Sequence, residues 1–234
     1  MIIEICANGF ESAQIAQNAG ANRIELCTNL SVGGLTPSYK EIEKVLSELI
    51  IPVHVLIRPR SGDFCYSESE LAQMLRDIAY CKQLGCAGVV SGVLTSEGNI
   101  DTTATSLLVG ASEGMEFTFH RAFDMCKDPK QSVKVIMNLG IDRLLSSGQA
   151  LKAIDGINLL QEIKAISTGK IQIMPGSGIN SENALFFKLA GFKSVHLSGI
   201  KKDPLSTSKK LFESKIEGVS DLNEIIKVRT ICMG

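Results

Sequence analysis

The run IIEICANGFESAQIAQNAGANRIELC (Ile2–Cys27) decides the architecture. It holds two short β-rich segments, Ile2–Ile5 and Arg23–Leu26. The helical stretch between them stops at Ala19–Gly20, where a left-handed turn closes a helix at little steric cost. The same strand-plus-helix unit recurs at Val53–Ile57, Gly88–Val90, Phe117–His120, Arg143–Leu145, Ile171–Met174 and Ser194–Leu197. Strand starts are about 21 to 35 residues apart, the length of one strand and one crossover helix. Helix starts carry cap chemistry: Ser67 with Glu70 as a capping box, Asp128 before Pro129 and Gln131, and Thr36–Pro37. Leu84–Gly85, Leu139–Gly140 and Ala190–Gly191 are further helix stops. Eight such units without a composition break predict one α/β domain over residues 1–234. Its form is a (β/α)8 barrel with a closed, parallel, eight-stranded sheet. A doubly wound open sheet is the alternative, but CANGFES after the first strand lacks the GxGxxG pattern. Lys201–Lys215 reads as a polar loop or short helix and Asp221–Val228 as the last helix.

Within those two opening strands, Glu4 and Glu25 have the opposite parity to the flanking Ile and Leu residues. If the apolar side chains face the outer helices, both carboxylates point into the barrel. Other polar residues gather at strand C-termini, where the loops of a barrel converge on one mouth. Arg58 and Arg60 close LIRPR, His120 and Arg121 close FTFHR, and His196 lies in VHLSG. Each has a structural alternative. A glutamate can sit in a buried ion pair, Arg60 or Arg121 on a solvated loop, and His54, His120 or His196 as a satisfied core histidine. A collection of ionisable groups in one barrel is costly to bury, which favours a site. Such a mouth suits an anionic substrate, with Arg58 and Arg60 as clamp, Glu4 or Glu25 as base, and His120 as acid or its orienter. Gly-containing turns at Ser146–Gln149, Pro175–Gly178 and Ser198–Ile200 offer backbone amides for a phosphate. They nominate Ser147, Gly148, Gly176, Gly178 and Ser198.

Composition removes other classes. The 234 residues are 44% hydrophobic and 21% charged, ordinary for a globular chain that needs neither disulfides nor a metal staple. With 24 Lys and Arg against 25 Asp and Glu, no positive field exists for nucleic acid. No 18-residue stretch is free of charge and no signal peptide is legible, so a cytoplasmic, non-membrane protein is expected. Seven cysteines without a CxxC argue against a disulfide framework and a structural zinc. Cys6 and Cys27 share the parity of Glu4 and Glu25, so a monovalent copper site using Cys27 is geometrically feasible. No organic cofactor is implied, and a homodimer is the default assembly.

ANRIELC (Ala21–Cys27), GGLTPS (Gly33–Ser38), IRPRSGDFCYS (Ile57–Ser67), FTFHRAFDM (Phe117–Met125), DRLLSSG (Asp142–Gly148) and MPGSGI (Met174–Ile179) together resemble the CutC family of copper-homeostasis proteins. The resemblance runs from Ile2 to about Ser198. It implies a cytoplasmic TIM barrel linked to copper, with no settled catalysed reaction. It places a polar mouth at Glu4, Glu25, Arg58, Asp63, His120 and Arg121, and copper ligation at Cys27. Departures are Ser61 where a glycine is frequent, PGSG for a PGGG-like turn, and RLLSSG for RVLTSG; Ser177 is expected to narrow an anion pocket. Two functions follow: copper homeostasis, or an enzyme acting on a small anionic or phosphorylated metabolite. A pure scaffold leaves the inward charges unexplained.

Overall fold

The computed structural model describes residues 1–200 and 218–233. Strands and helices alternate in the expected order. They are β1 (Ile2–Asn8), α1 (Phe10–Asn18), β2 (Arg23–Cys27), α2 (Tyr39–Glu48), β3 (Val53–Leu56), α3 (Glu68–Leu84), β4 (Gly88–Ser91) and α4 (Thr102–Ala111). The second half comprises β5 (Glu116–Phe119), α5 (Pro129–Asn138), β6 (Arg143–Ser146), α6 (Ile157–Ser167), β7 (Gln172–Pro175), α7 (Ala184–Leu189), β8 (Ser194–Leu197) and α8 (Leu222–Met233). All pairings between strands are parallel, in the order β7-β6-β5-β4-β3-β2-β1-β8. A parallel bridge between Gly176 and His196 brings β7 to β8 and nearly completes the ring. This is the (β/α)8 barrel.

Three local expectations change. Helix α2 starts at Tyr39 rather than at Thr36–Pro37, because Ser38 takes the N-cap role and its Oγ accepts from the Glu41 amide at 3.3 Å. His120 lies just past β5, capping the 3₁₀ turn Arg121–Met125 through its ring nitrogen. Helix α8 continues to Met233. The reading of Lys201–Lys215 lies outside the described residues. The capping box at Ser67 and Glu70 and the left-handed Gly85 stop are both present on α3. No helix among the described residues is long and apolar enough to cross a membrane.

Strand parity sorts the core. Ile3, Ile5, Ile24, Leu26, Val53, Val55, Val89, Phe117, Phe119, Leu144, Ile173 and Val195 face outward into the large apolar layer shared with the helices. The inner face carries a much smaller apolar cluster, Cys6, Cys27, Leu56 and Val90, so polar side chains fill most of the barrel. β4 makes room for them. A Cβ on Gly88 would sit 2.7 Å from both the Glu116 carbonyl oxygen and His54 Cε1, and one on Gly92 would sit 2.8 Å from His120 Nδ1. The first neighbour is backbone and cannot swing away. Gly88→Ala should therefore cost about 1–3 kcal/mol by overpacking, lowering Tm by roughly 3–10 °C for a chain of this size. A thermal melt matching the wild type would show that the His54 ring does not occupy that space.

Candidate functional site

At the N-terminal end of the barrel, arginines enter from strands next to carboxylates. The Arg143 guanidinium donates to Glu116 Oε2 (3.0 Å), Thr118 Oγ1 (2.9 Å) and Gln172 Oε1 (3.0 Å). His54 Nε2 lies 3.1 Å from Glu116 Oε2. The His54 contact, burial and Arg143 set the Glu116 balance, and its carboxyl falls to about 2 because the favourable contacts outweigh burial. Arg23 bridges inward, donating through Nε to Glu4 Oε2 at 2.5 Å. Glu4 has no solvent exposure. Burial works to raise its pKa, yet the hydrogen bond with His196 (2.7 Å) and the Arg23 charge hold it well below the carboxylate range. Glu4 is thus the carboxylate of a buried ion pair as well as a neighbour of the site.

One step toward the mouth, β1, β2 and β8 bring three potential ligands together. One atom each from Cys6, Glu25 and His196 lies within 4.8 Å of the other two. The register explains it: Cys6 pairs with Glu25 across β1 and β2, while Glu4 pairs with His196 across β1 and β8. Cys6 Sγ is 3.8 Å from Glu25 Oε1 and 3.6 Å from Cys27 Sγ. Glu25 Oε2 is buried without a partner. Burial lifts the Glu25 carboxyl to about 7, with the Glu4 charge adding to the rise and His196 opposing it. Burial works to lower His196, but the charge of Glu25 and hydrogen bonds with Cys6 and Glu4 keep it well above an ordinary imidazole. The Cys27 contact and burial both push the Cys6 thiol up. These groups form a thiol, carboxylate and imidazole cluster with the chemistry of a metal site. Cys27 adjoins this cluster through Cys6 and lies outside the three-residue group.

The remaining candidates separate at the mouth. Arg58 is almost fully buried. It ties the loops after β2 and β3 together by donating to the carbonyls of Val32 (2.8 Å), Gly34 (2.9 Å) and Gly62 (3.0 Å). Arg60 instead joins an outer network, donating to Glu70 (2.6 Å), Asp63 (2.9 Å) and the Cys65 carbonyl (2.6 Å); Asp63 is itself exposed. Neither Arg60 nor Asp63 joins the interior cluster, because Glu70 at the start of α3 draws the guanidinium outward. Arg121 pairs with Asp124 at 2.8 Å, and its Nη2 donates to Ser147 Oγ at 3.0 Å.

Asp124 corrects the phosphate expectation at Ser147 and Gly148. Its carboxylate accepts from Ser146 Oγ (2.6 Å), the Ser147 amide (3.1 Å) and the Gln149 amide (3.2 Å). Gly148 N is spent on Ser146 Oγ at 2.8 Å. The protein supplies its own anion to that loop. In the β7 loop, Gly176 belongs to the ring-closing bridge and Ser177 Oγ donates to the Leu151 carbonyl at 2.7 Å. Gly178, at positive φ, packs by the Lys152 side chain. The Ser198 carbonyl accepts from Ser220 Oγ at 2.8 Å, anchoring the approach to α8. Sequence reading missed Arg23, Glu116, Arg143 and Asp124, and named Cys6 only as a neighbour of Cys27.

Comparison with known proteins agrees with this fold. The CutC family model matches residues 1–201. The family protein CutC of Pasteurella multocida (strain Pm70) is 48% identical over 200 residues, covering 85% of this chain and 82% of its own. That of Glaesserella parasuis serovar 5 (strain SH0165) is 49% identical over 183 residues, covering 78% and 75%. Among solved structures, the Streptococcus agalactiae CutC protein, described in terms of copper homeostasis, superposes with a TM-score of 0.80 at 35% identity. It covers 85% of this chain and 98% of its own. The N-(5'-phosphoribosyl)anthranilate isomerase of Pyrococcus furiosus, at TM-score 0.61 and 16% identity, shares the barrel alone over 100% and 98% of the two chains. The chain belongs to the CutC family.

Proposed function

We propose that this protein binds one monovalent copper ion inside the barrel, through Cys6, Glu25 and His196, with Cys27 beside them. The observation that carries the reading is the convergence of those three ligand atoms within 4.8 Å of one another. Thiol and imidazole suit soft and borderline cations, and a second thiol 3.6 Å from the first favours copper(I) over hard cations. A cation would also answer the unpartnered Glu25 oxygen and take the place of the proton that the Cys27 contact and burial hold on Cys6. A cleft of about 350 Å³ opens between the loops after β1 and β2, and Leu30, one of its lining residues, packs on the Cys6 and Cys27 cluster.

The test is competition for copper(I) against a chromogenic chelator under reducing conditions. The wild type should take up one equivalent. Cys6→Ser should weaken binding by more than the roughly 10–100-fold typical of losing a supporting hydrogen bond to a ligand. Cys27→Ser should weaken it less, and Cys126→Ser should leave it unchanged. Full binding by Cys6→Ser would end the proposal.

A second reading is proton transfer on a small anionic metabolite. It is favoured by the Glu25 carboxyl titrating at about 7 in a cluster with His196. In that reading Glu25 is the base, while Glu4, held by Arg23, orients His196. His120 belongs to the mouth, where a substrate would enter. Cytoplasmic location and a homodimer accompany either reading as expectations from the sequence.

A further inference from the structure

The arginines that follow or begin strands are each matched with a carboxylate, with one exception. Arg23 pairs with Glu4, Arg60 with Asp63 and Glu70, Arg121 with Asp124, and Arg143 with Glu116. Arg58 is more deeply buried than any of them, at 2% exposure, and no carboxylate lies within salt-bridge distance of it among the described residues. Its three hydrogen bonds go to neutral carbonyls. A guanidinium has five N–H donors, so two remain unspent, and one of them is the Nε–H, which has no acceptor. A buried cation without a counter-charge is a costly arrangement to maintain unless something supplies the charge.

Two further buried groups nearby also lack partners. The Tyr66 hydroxyl meets no partner in good hydrogen-bond geometry; burial pushes its pKa up, and the Arg58 guanidinium beside it opposes the rise. His120 Nδ1 accepts from the Ala122 amide at 3.3 Å, so Nε2 carries the ring proton, and that donor also has no acceptor. The Phe64 ring links the set: the Arg58 Cζ lies 4.9 Å from its centroid, and the His120 ring meets it edge-on at 4.9 Å. The three groups thus offer unspent donors and one positive charge, and the Tyr66 hydroxyl oxygen is the one acceptor among them. Their complement is a compact oxyanion, whose several oxygens accept hydrogen bonds and whose charge balances the guanidinium.

We propose that Arg58, Tyr66 and His120 form a binding site at the barrel mouth for a small oxyanion, the carboxylate or phosphoryl group of a metabolite. The site shares no residue with the copper cluster. It supplies the substrate-binding half of the proton-transfer reading, and it is tested by binding rather than turnover, so its failure and the failure of either reading are distinguishable.

The experiment is calorimetric titration of the full chain with inorganic phosphate and, separately, with oxalate, alongside ¹H–¹⁵N spectra of arginine Nε–H and histidine Nε2–H. Saturable one-to-one binding of at least one probe is expected, with the Arg58 Nε–H and His120 Nε2–H resonances moving on saturation. Binding of phosphate alone assigns a phosphoryl group, of oxalate alone a carboxylate, and of both the shared chemistry. Because Arg58 also anchors two loops, the informative variants are Tyr66→Phe and His120→Gln, which keep the packing. Each should weaken binding about 5- to 10-fold, the effect of one lost hydrogen bond. No saturable binding of either probe, or wild-type affinity in both variants, overturns the proposal.

Discussion

Arg23→Met should remove about 3–5 kcal/mol of folding stability, a large share of the 5–15 kcal/mol typical of a domain. The reason is Glu4. That carboxylate is wholly buried, and its charge is held by Arg23 Nε on one oxygen and His196 Nδ1 on the other. Removing the guanidinium strands a charge that burial alone would neutralise. Methionine fills most of the volume without answering the charge. The same substitution removes the contact of Arg23 Nη1 with Glu116 at 3.8 Å, which Arg143 and His54 still satisfy, so the damage should centre on Glu4. Urea unfolding measures it. The pair Glu4→Gln with Arg23→Met should lose clearly less than the two single losses added, because the stranded charge is gone. A loss for Arg23→Met below about 1 kcal/mol, the scale of an exposed pair, would mean that the pair is solvated rather than buried.

Acid should destabilise the protein through His120 as pH falls below 6.5. Burial, reinforced by the charges of Arg58 and Arg121, drops the His120 pKa from 6.5 to about 3. Between those values the unfolded chain binds a proton that the native ring refuses. The stabilising contribution is therefore complete above pH 6.5 and is lost as pH falls through that window. From pH 6.5 to 4.5 the loss amounts to about 2–3 kcal/mol. His54, also lowered chiefly by burial, adds in the same direction. Glu25, raised to about 7, acts oppositely, since its native form gains a proton as pH falls below that value. The His120 share is isolated by comparison: the difference in unfolding free energy between wild type and His120→Gln should shrink by that amount from pH 7 to pH 4.5. A constant difference would contradict a neutral, buried ring.

Strand alternation and the parity of Glu4 and Glu25 were legible because both follow from the two-residue repeat of a strand and need no knowledge of neighbours. The cluster of Cys6, Glu25 and His196 was only half legible. His196 reaches β1 because the ring closes, and the β1–β8 register that aligns it with Glu4 is set by all eight strands together. Arg23, Glu116 and Arg143 open their strands, at the end of the barrel opposite the strand C-termini where barrel chemistry gathers. Arg23 nevertheless shares the parity of Glu25, and Arg143 opens its strand, so an inward basic residue at the N-terminal end was a readable signal. Asp124 was not readable. It sits in a short 3₁₀ turn after β5, and only the fold brings that turn against the amides after β6, where a phosphate had been the expected guest. Arg60 and Arg58 are two residues apart in one motif, yet Glu70 takes one outward while three carbonyls hold the other in the mouth.

In the proposed function the barrel assembles Cys6, Glu25 and His196 into one metal site. X-ray absorption at the copper edge of the stoichiometrically loaded protein tests it most directly. Sulfur and imidazole nitrogen should both scatter from the same copper ion, with the imidazole component vanishing in His196→Gln and the sulfur component falling in Cys6→Ser. A spectrum of sulfur alone, unchanged by either substitution, would place the copper elsewhere and contradict the account.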